Sequence, residues 1–115
     1  MKKFSGPLAR RYGTALYECA QDISKRSGIS EFEKFSEQAR MVSETFDKNV
    51  IAIFKAPYHT NAKKISILES LLESTFSINQ QTITPELMSF LKLLIENDRI
   101  SEINSIFHFF LKKSD

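Results

Sequence analysis

The sequence predicts an all-α fold, a compact six-helix bundle formed by one domain that spans residues 1–115. Apolar residues recur at the i, i+3, i+4, i+7 spacing of a helix face through most of the chain. Helix breakers are scarce, with three glycines and three prolines in the whole sequence. A chain of 115 residues, 42% of them hydrophobic, is long enough to bury one core. These features favour a single helical domain over a disordered chain.

The first predicted helix runs from Pro7 to Ser24, and proline suits the first helical position because no N–H partner is needed there. Gly13 lies inside this helix, where glycine costs about 1 kcal/mol of helix propensity relative to alanine. We therefore expect another backbone to pass close to Gly13. The predicted inward stripe of this helix consists of Leu8, Tyr12, Ala15, Leu16, Cys19 and Ile23.

Two further helices are predicted next. The run Ser30–Glu33 has the spacing of a capping box, in which the serine and glutamate side chains satisfy each other's backbone N–H groups. It predicts a second helix that ends near Asp47. The inward stripe of that helix consists of Phe32, Phe35, Ala39, Val42 and Phe46. Residues 50–54 are apolar but lack a partner strand, so they predict a short third helix that ends before Pro57.

A fourth helix is predicted to begin at a cap formed by Thr60 or Asn61, and residues 77–83 are predicted to form a polar loop after it. Its inward residues are Ile65, Leu68, Leu72 and Phe76. The pair Lys63-Lys64 lies at the positive end of the helix dipole, so it is either exposed and tolerated or paired with an acidic partner. Of these two interpretations we favour exposure.

The stretch Pro85–Ile100 has the most apolar helical pattern in the chain and predicts a central helix. Thr84 is expected to cap it, and the run Asn97-Asp98, which tolerates left-handed backbone, is expected to end it. Its inward residues are Leu87, Phe90, Leu91, Leu94 and Ile95. A narrow strip stays polar, and a partner is expected to reach the helix there. This strip consists of Ser89, Lys92 and Glu96, with Leu93 at its edge.

The last helix is predicted to begin near Ile100 and to continue to the end of the sequence. Its inward stripe consists of Ile103, Ile106, Phe107, Phe110 and Leu111. No glycine or proline stop signal follows this stripe. We therefore expect the sequence to be part of a longer protein.

No pattern in the sequence indicates catalysis, a metal or a cofactor. Phosphate-binding loops need clustered glycines and zinc sites need clustered cysteine and histidine, whereas Cys19, His59 and His108 are isolated. We expect Cys19 to be a small buried apolar residue. The formal net charge of +2 and the absence of a block of like charges do not indicate nucleic acid. No apolar run is long enough to span a bilayer, so a cytosolic protein is expected.

Three stretches carry a family pattern, in matching order and spacing. They are ARRYGTALYECA at residues 9–20, Pro57 followed by Lys63-Lys64, and FLKLLIENDRI at residues 90–100. Together they resemble the delta subunit of bacterial F-type ATP synthase, the counterpart of the mitochondrial oligomycin-sensitivity-conferring protein. The family motifs read roughly A-x-x-Y-A-x-A-L-F-x-x-A and f-L-x-x-L-x-E-N-G-R-L. The chain departs from them at Gly13, Tyr17 and Asp98, where the family usually has alanine, phenylalanine and glycine.

The resemblance implies the N-terminal six-helix domain of a longer subunit, whose C-terminal stalk-binding portion is absent here. It implies a non-catalytic stator component, without a cofactor, that ties the catalytic head of a proton-translocating ATP synthase to the peripheral stalk. The partner would be the amphipathic N-terminal helix of an alpha subunit, held in a groove between the first and fifth helices. Carried over by position, the groove residues are Tyr12, Ala15, Ser89 and Leu93.

The same resemblance implies that the full-length subunit also binds the b subunit of the peripheral stalk. It places the protein in the cytoplasm, peripheral on the inner face of the cell membrane, with neither a nucleic-acid partner nor direct membrane insertion.

An all-helical RNA-binding module of the antitermination-factor type is the alternative interpretation. Its first helix also carries an R-R start and an A-L-Y run, which Arg10-Arg11 and residues 15–17 match. The near-neutral charge, the acidic second helix and the unmatched run at residues 96–99 count against it. A regulatory bundle with another protein partner is a third possibility that the residues leave open.

Overall fold

The computed structural model describes residues 7–78 and 80–114, and it describes the side chains of residues 9–78 and 80–113. Within these residues the chain forms six α-helices and one short 3-10 turn, and no strand occurs among them. The predicted all-α six-helix bundle is confirmed. The helices are α1 (Pro7–Ser27), α2 (Ile29–Thr45), α3 (Lys48–Lys55), α4 (Asn61–Ile78), α5 (Pro85–Glu96) and α6 (Ile103–Ser114), with the 3-10 turn at Ile100–Glu102. The predicted place of the Leu8 side chain in the inward stripe lies outside the described residues.

The α5 helix has the buried face that its sequence predicted. It begins at Pro85, and Asp98 takes up left-handed backbone with φ 59° directly after its last turn. All five predicted inward residues are buried: Leu87, Phe90, Leu91, Leu94 and Ile95. Thr84 is the N-cap residue of α5, as predicted, but its side chain makes no hydrogen bond to the first turn of the helix. Its hydroxyl instead donates to the Gln38 Oε1 atom at 2.7 Å.

Gly13 lies where α1 crosses closest to α6, as its position in the helix predicted. A Cβ atom at this residue would lie 2.5 Å from the Phe109 Cδ1 atom and 3.1 Å from the Ile106 carbonyl oxygen. Carbon atoms do not approach one another at 2.5 Å without displacement. Glycine is therefore required here by the space between two helices rather than by its backbone conformation.

Substituting Gly13 with alanine is expected to lower the free energy of unfolding by up to about 2 kcal/mol, because overpacking a tight contact usually costs about 1–3 kcal/mol and the higher helix propensity of alanine offsets about 1 kcal/mol of it. Alanine favours a helix by about 1 kcal/mol over glycine, so the sign of the effect decides between propensity and packing. Urea denaturation followed by circular dichroism measures the difference. Glu18→Ala, at an exposed position of the same helix, is the control and should change stability little. A Gly13→Ala variant about 1 kcal/mol more stable than the parent, as helix propensity alone would give, would contradict the close approach.

Gly28 serves as the junction between α1 and α2, which corrects the predicted capping box. With φ 100°, its N–H donates to the Ser24 carbonyl, while its own carbonyl accepts from the N–H groups of Glu31 and Phe32. One left-handed glycine thus ends α1 and begins α2. Ser30 falls inside the first turn of α2, so the predicted Ser30–Glu33 capping box is wrong. The first helix also extends three residues past its predicted end at Ser24.

The start of α4 agrees with one prediction and corrects another. The Thr60 Oγ1 atom accepts from the Lys63 N–H at 3.1 Å, so Thr60 is the cap. Of the pair expected to be exposed, Lys63 is exposed but Lys64 is only 8% exposed. Lys64 lies four residues before Leu68 on the buried stripe of α4, so its aliphatic stem is covered with that face. The helix also runs to Ile78, into the predicted polar loop.

Candidate functional site

The α1 and α5 helices lie side by side in opposite directions. At one end the Asn97 amide donates to the Tyr12 hydroxyl at 3.3 Å, and at the other Arg26 pairs with Glu86 at 3.4 Å. The start of α1 thus meets the end of α5, and the end of α1 meets the start of α5, so the two helices are antiparallel. We call the exposed and half-buried residues along this pair the α1–α5 surface: Tyr12, Ala15, Cys19, Glu86, Ser89, Leu93 and Asn97.

Aromatic rings lie beneath the end of this surface that contains Tyr12. The Tyr12 ring meets the Phe90 ring edge-on, with centroids 6.5 Å apart, and Phe90 in turn lies 6.2 Å from the Phe107 ring. The α1 backbone packs closely on α6 and α2, and the α5 backbone on α4, so α1 and α5 meet mainly through side chains. The space between the two helices is therefore bounded by rings rather than by backbone.

The four residues carried over from the family pattern are accessible from solvent. Ser89 and Ala15 are exposed, Leu93 is 43% exposed, and Tyr12 is half-buried. Tyr12 contacts both Phe90 and Asn97, which flank Leu93 on α5, so Tyr12 and Leu93 lie on facing helix edges. Ala15 is one turn further along α1 and Ser89 one turn earlier on α5.

Ala15 corrects the predicted inward stripe of the first helix. The neighbouring residue Leu16 is 0% exposed, whereas Ala15 is exposed. At about 100° per residue, Ala15 stands at the edge of the buried arc that Leu16 and Ala20 occupy. Tyr12 occupies the same edge, which explains why it is only half-buried. Helical spacing groups edge residues with core residues, so periodicity alone does not separate them.

Leu93 is the exposed large apolar side chain of α5. Its neighbour Leu94 is 0% exposed and belongs to the core, whereas Leu93 lies at the surface. The Lys92 ammonium is engaged 3.0 Å from Glu69 of α4, on the other side of the helix. The edge of α5 that faces α1 thus carries an apolar group, while the edge that faces α4 carries an ion pair.

The end of the surface near Arg26 is charged. Burial raises the pKa of the half-buried Cys19 thiol, the carboxylates of Glu86 and Asp22 raise it further, and Arg26 lowers it. The net direction is upward, so the thiol stays protonated at neutral pH and behaves as a small neutral group. The surface therefore changes from apolar around Tyr12 and Leu93 to charged near Arg26. A partner helix with an apolar stripe and polar flanks would match this distribution of apolar and charged groups.

Gln38 fixes the segment that leads into α5, and sequence analysis did not identify it. Its side chain is fully buried. The Nε2 atom donates to the Gln81 Oε1 atom and to the Thr82 carbonyl, both at 3.1 Å. The Oε1 atom accepts from the N–H and the hydroxyl of Thr84, at 2.8 and 2.7 Å. The available signal was a glutamine three residues after Phe35, on the apolar stripe of α2.

The part of the chain that the structure describes contains no group of three histidine, cysteine or acidic residues that could hold a metal ion. Among the same residues, none of the helices has the length and apolar character needed to cross a membrane.

Comparison with known proteins identifies a family. A family model described as ATP synthase delta (OSCP) subunit matches residues 8–115. Neither the curated proteins nor the solved structures searched include one that matches the chain. The family match agrees with the resemblance seen in the three sequence motifs, and it favours that interpretation over the antitermination alternative.

Proposed function

The chain belongs to the ATP synthase delta (OSCP) subunit family, and we propose that its α1–α5 surface binds the amphipathic N-terminal helix of an alpha subunit. Family membership makes the protein a stator subunit of ATP synthase and a peripheral component of that complex. Such a subunit restrains other subunits mechanically and carries out no bond chemistry of its own.

The exposed Leu93 carries this proposal. A large apolar side chain, 43% exposed, lies beside the aromatic contact between Tyr12 and Phe90. A partner helix whose apolar residues recur every three or four positions would cover Leu93 and fill the space above these rings. The small neighbours Ala15 and Ser89 would let the partner backbone approach closely. Burying the apolar area of this surface supplies the binding free energy.

Bound in this way, the domain ties the catalytic head to the stator, so that the head does not turn with the rotor. The full-length subunit would complete the connection by binding the b subunit of the peripheral stalk. This places the protein on the cytoplasmic face of the cell membrane, within the assembled synthase.

A calorimetric titration with a peptide from the N-terminus of the cognate alpha subunit tests the proposal. We expect saturable binding that changes little between 50 and 200 mM salt, because the contact is mainly apolar. Binding to RNA through six to ten phosphates would instead weaken by about 10³–10⁵-fold over that range. No binding at peptide concentrations near 1 mM would exclude an affinity stronger than about −4 kcal/mol and contradict the proposal. Single-stranded oligo-uridine serves as the RNA control.

A further inference from the structure

A basic and apolar surface surrounds α3 and the turn that follows it. Residues 48–68 contain four lysines and no aspartate or glutamate, although the whole chain has a formal net charge of only +2. The positive charge of this segment is therefore concentrated locally rather than spread over the protein. We call its exposed residues the α3 face: Lys48, Ala52, Ile53, Lys55, Tyr58 and Lys63.

The geometry of α3 exposes its two lysines on one side of the helix. Lys48, Ala52 and Lys55 follow the i, i+4, i+7 spacing of one helix face, and all three are exposed. Phe54 is 1% exposed, and its ring lies 5.4 Å from the Phe46 ring, which anchors the opposite face of α3 in the core. Ile53, 44% exposed, lies across the exposed arc of α3 from Lys55, about 160° away at about 100° per residue. Tyr58, 80% exposed, adds apolar area in the turn after the helix.

The chain around the α3 face is held in place by hydrogen bonds. The Asp47 carboxylate accepts from the Val50 N–H at 2.9 Å and caps α3. After the helix, the His59 N–H donates to the Ala56 carbonyl at 3.4 Å, and the Tyr58 and His59 rings lie 4.6 Å apart. A surface ordered before binding loses less conformational entropy when a partner covers it.

The lysines of the α3 face lack acidic partners within the described part of the chain. The ion pairs found there are Arg26–Glu86, Arg40–Glu37 and Lys92–Glu69, none of which involves this segment. The positive charge of Lys48, Lys55 and Lys63 is therefore available to an external anionic group. Such a field steers an oppositely charged partner and orients it on contact.

We propose that the α3 face binds an acidic amphipathic segment of a second protein. Carboxylates of that segment pair with Lys48, Lys55 and Lys63, while its apolar side chains cover Ile53 and Tyr58. Tyr58 is the single aromatic residue of the α3 face, whereas binding successive nucleic-acid bases uses several stacking rings. The face shares no residue with the α1–α5 surface, so this inference does not depend on the function proposed for that surface.

The test is reconstitution of the cognate ATP synthase, stripped of this subunit, with the full chain. Lys48→Glu combined with Lys55→Glu is expected to weaken assembly at least about tenfold, because like charges facing each other across an interface are strongly unfavourable. Lys34→Glu combined with Lys112→Glu makes the same charge change at exposed positions on α2 and α6 and should leave assembly unchanged. Circular dichroism verifies that both variants are folded.

Carbodiimide cross-linking of the assembled complex identifies the partner. We expect Lys48, Lys55 and Lys63 to form amide bonds with aspartate or glutamate residues of one protein segment. Equal assembly of the two double variants, without such cross-links, would overturn the proposal. It would also be overturned if the α3 variant lost binding only to oligo-uridine or to phosphatidylglycerol vesicles. Binding of the alpha-subunit peptide, which Leu93→Asp removes, should survive in the α3 variant, so failures at the two surfaces are distinguishable.

Discussion

Replacing Leu91 with alanine is expected to lower the free energy of unfolding by about 2–5 kcal/mol, the range for removing a buried leucine side chain. Leu91 is 0% exposed and lies on the buried face of α5, between Leu87 and Leu94. The cavity that the substitution leaves would remove packing contacts within the hydrophobic core to which Leu91 belongs. Since small domains are stable by about 5–15 kcal/mol, this loss would be a large fraction of the total. Urea denaturation followed by circular dichroism measures it.

Leu93 supplies a matched control two residues away on the same helix. Because its side chain is 43% exposed, Leu93→Ala should change the free energy of unfolding by about 0.5 kcal/mol or less, as surface substitutions usually do. Equal losses for Leu91→Ala and Leu93→Ala would show that Leu93 is packed in the core. In that case the α1–α5 surface would lack its main apolar contact.

The second large effect is on binding. Leu93→Asp is expected to lower the affinity for the alpha-subunit peptide by at least about 100-fold. Fully burying a leucine is worth about 1.5–3 kcal/mol, so covering the 43% of Leu93 that is exposed contributes about 0.6–1.3 kcal/mol, where each 1.4 kcal/mol is a factor of ten. The aspartate adds a carboxylate that would have to give up its water beneath an apolar stripe. Calorimetry with the parent and the variant measures the change.

Leu93→Met is the conservative counterpart and should keep most of the affinity, because methionine has nearly the same volume and remains apolar. Both variants are expected to stay folded, since position 93 is at the surface. A folded Leu93→Asp variant that binds the peptide as tightly as the parent would show that the partner helix does not contact this residue.

Residue patterns predicted α5 well because two independent physical signals agree there. Its apolar residues cover most of the helix surface, and its ends carry Pro85 and Asp98, which favour a start and a stop. Gly13 was also informative. Glycine inside a helix lowers the stability of that helix, so its presence indicates that a larger side chain would not fit. The structure confirms that requirement through Phe109 and Ile106.

The features that the sequence did not predict depend on contacts between distant segments. Gln38 reaches residues more than forty positions away, so its burial has no local signal beyond its place on an apolar stripe. Lys64 was expected to be exposed because of its charge, whereas its position on the α4 stripe decides its burial. At the α1–α2 junction, Gly28 satisfied both helix ends, which made a side-chain cap at Ser30 unnecessary.

The candidate site was predicted in two different ways. Periodicity placed Ser89 and Leu93 at the open edge of α5, and both are exposed. Tyr12 and Ala15 came from the family pattern, since periodicity grouped them with the core of α1. Their accessibility depends on how far α1 is rotated against α6 and α2, which the helix pattern leaves undetermined by several tens of degrees.

Mapping the alpha-subunit peptide onto the protein by NMR tests the central claim most directly. Backbone amide shifts of the isotope-labelled chain would be followed as the peptide is added, at low and at high salt. The α1–α5 proposal predicts saturable shifts clustered at Tyr12, Ala15, Ser89 and Leu93, with the same pattern at both salt concentrations. Saturable shifts confined to other helices, with these four residues unmoved, would contradict it.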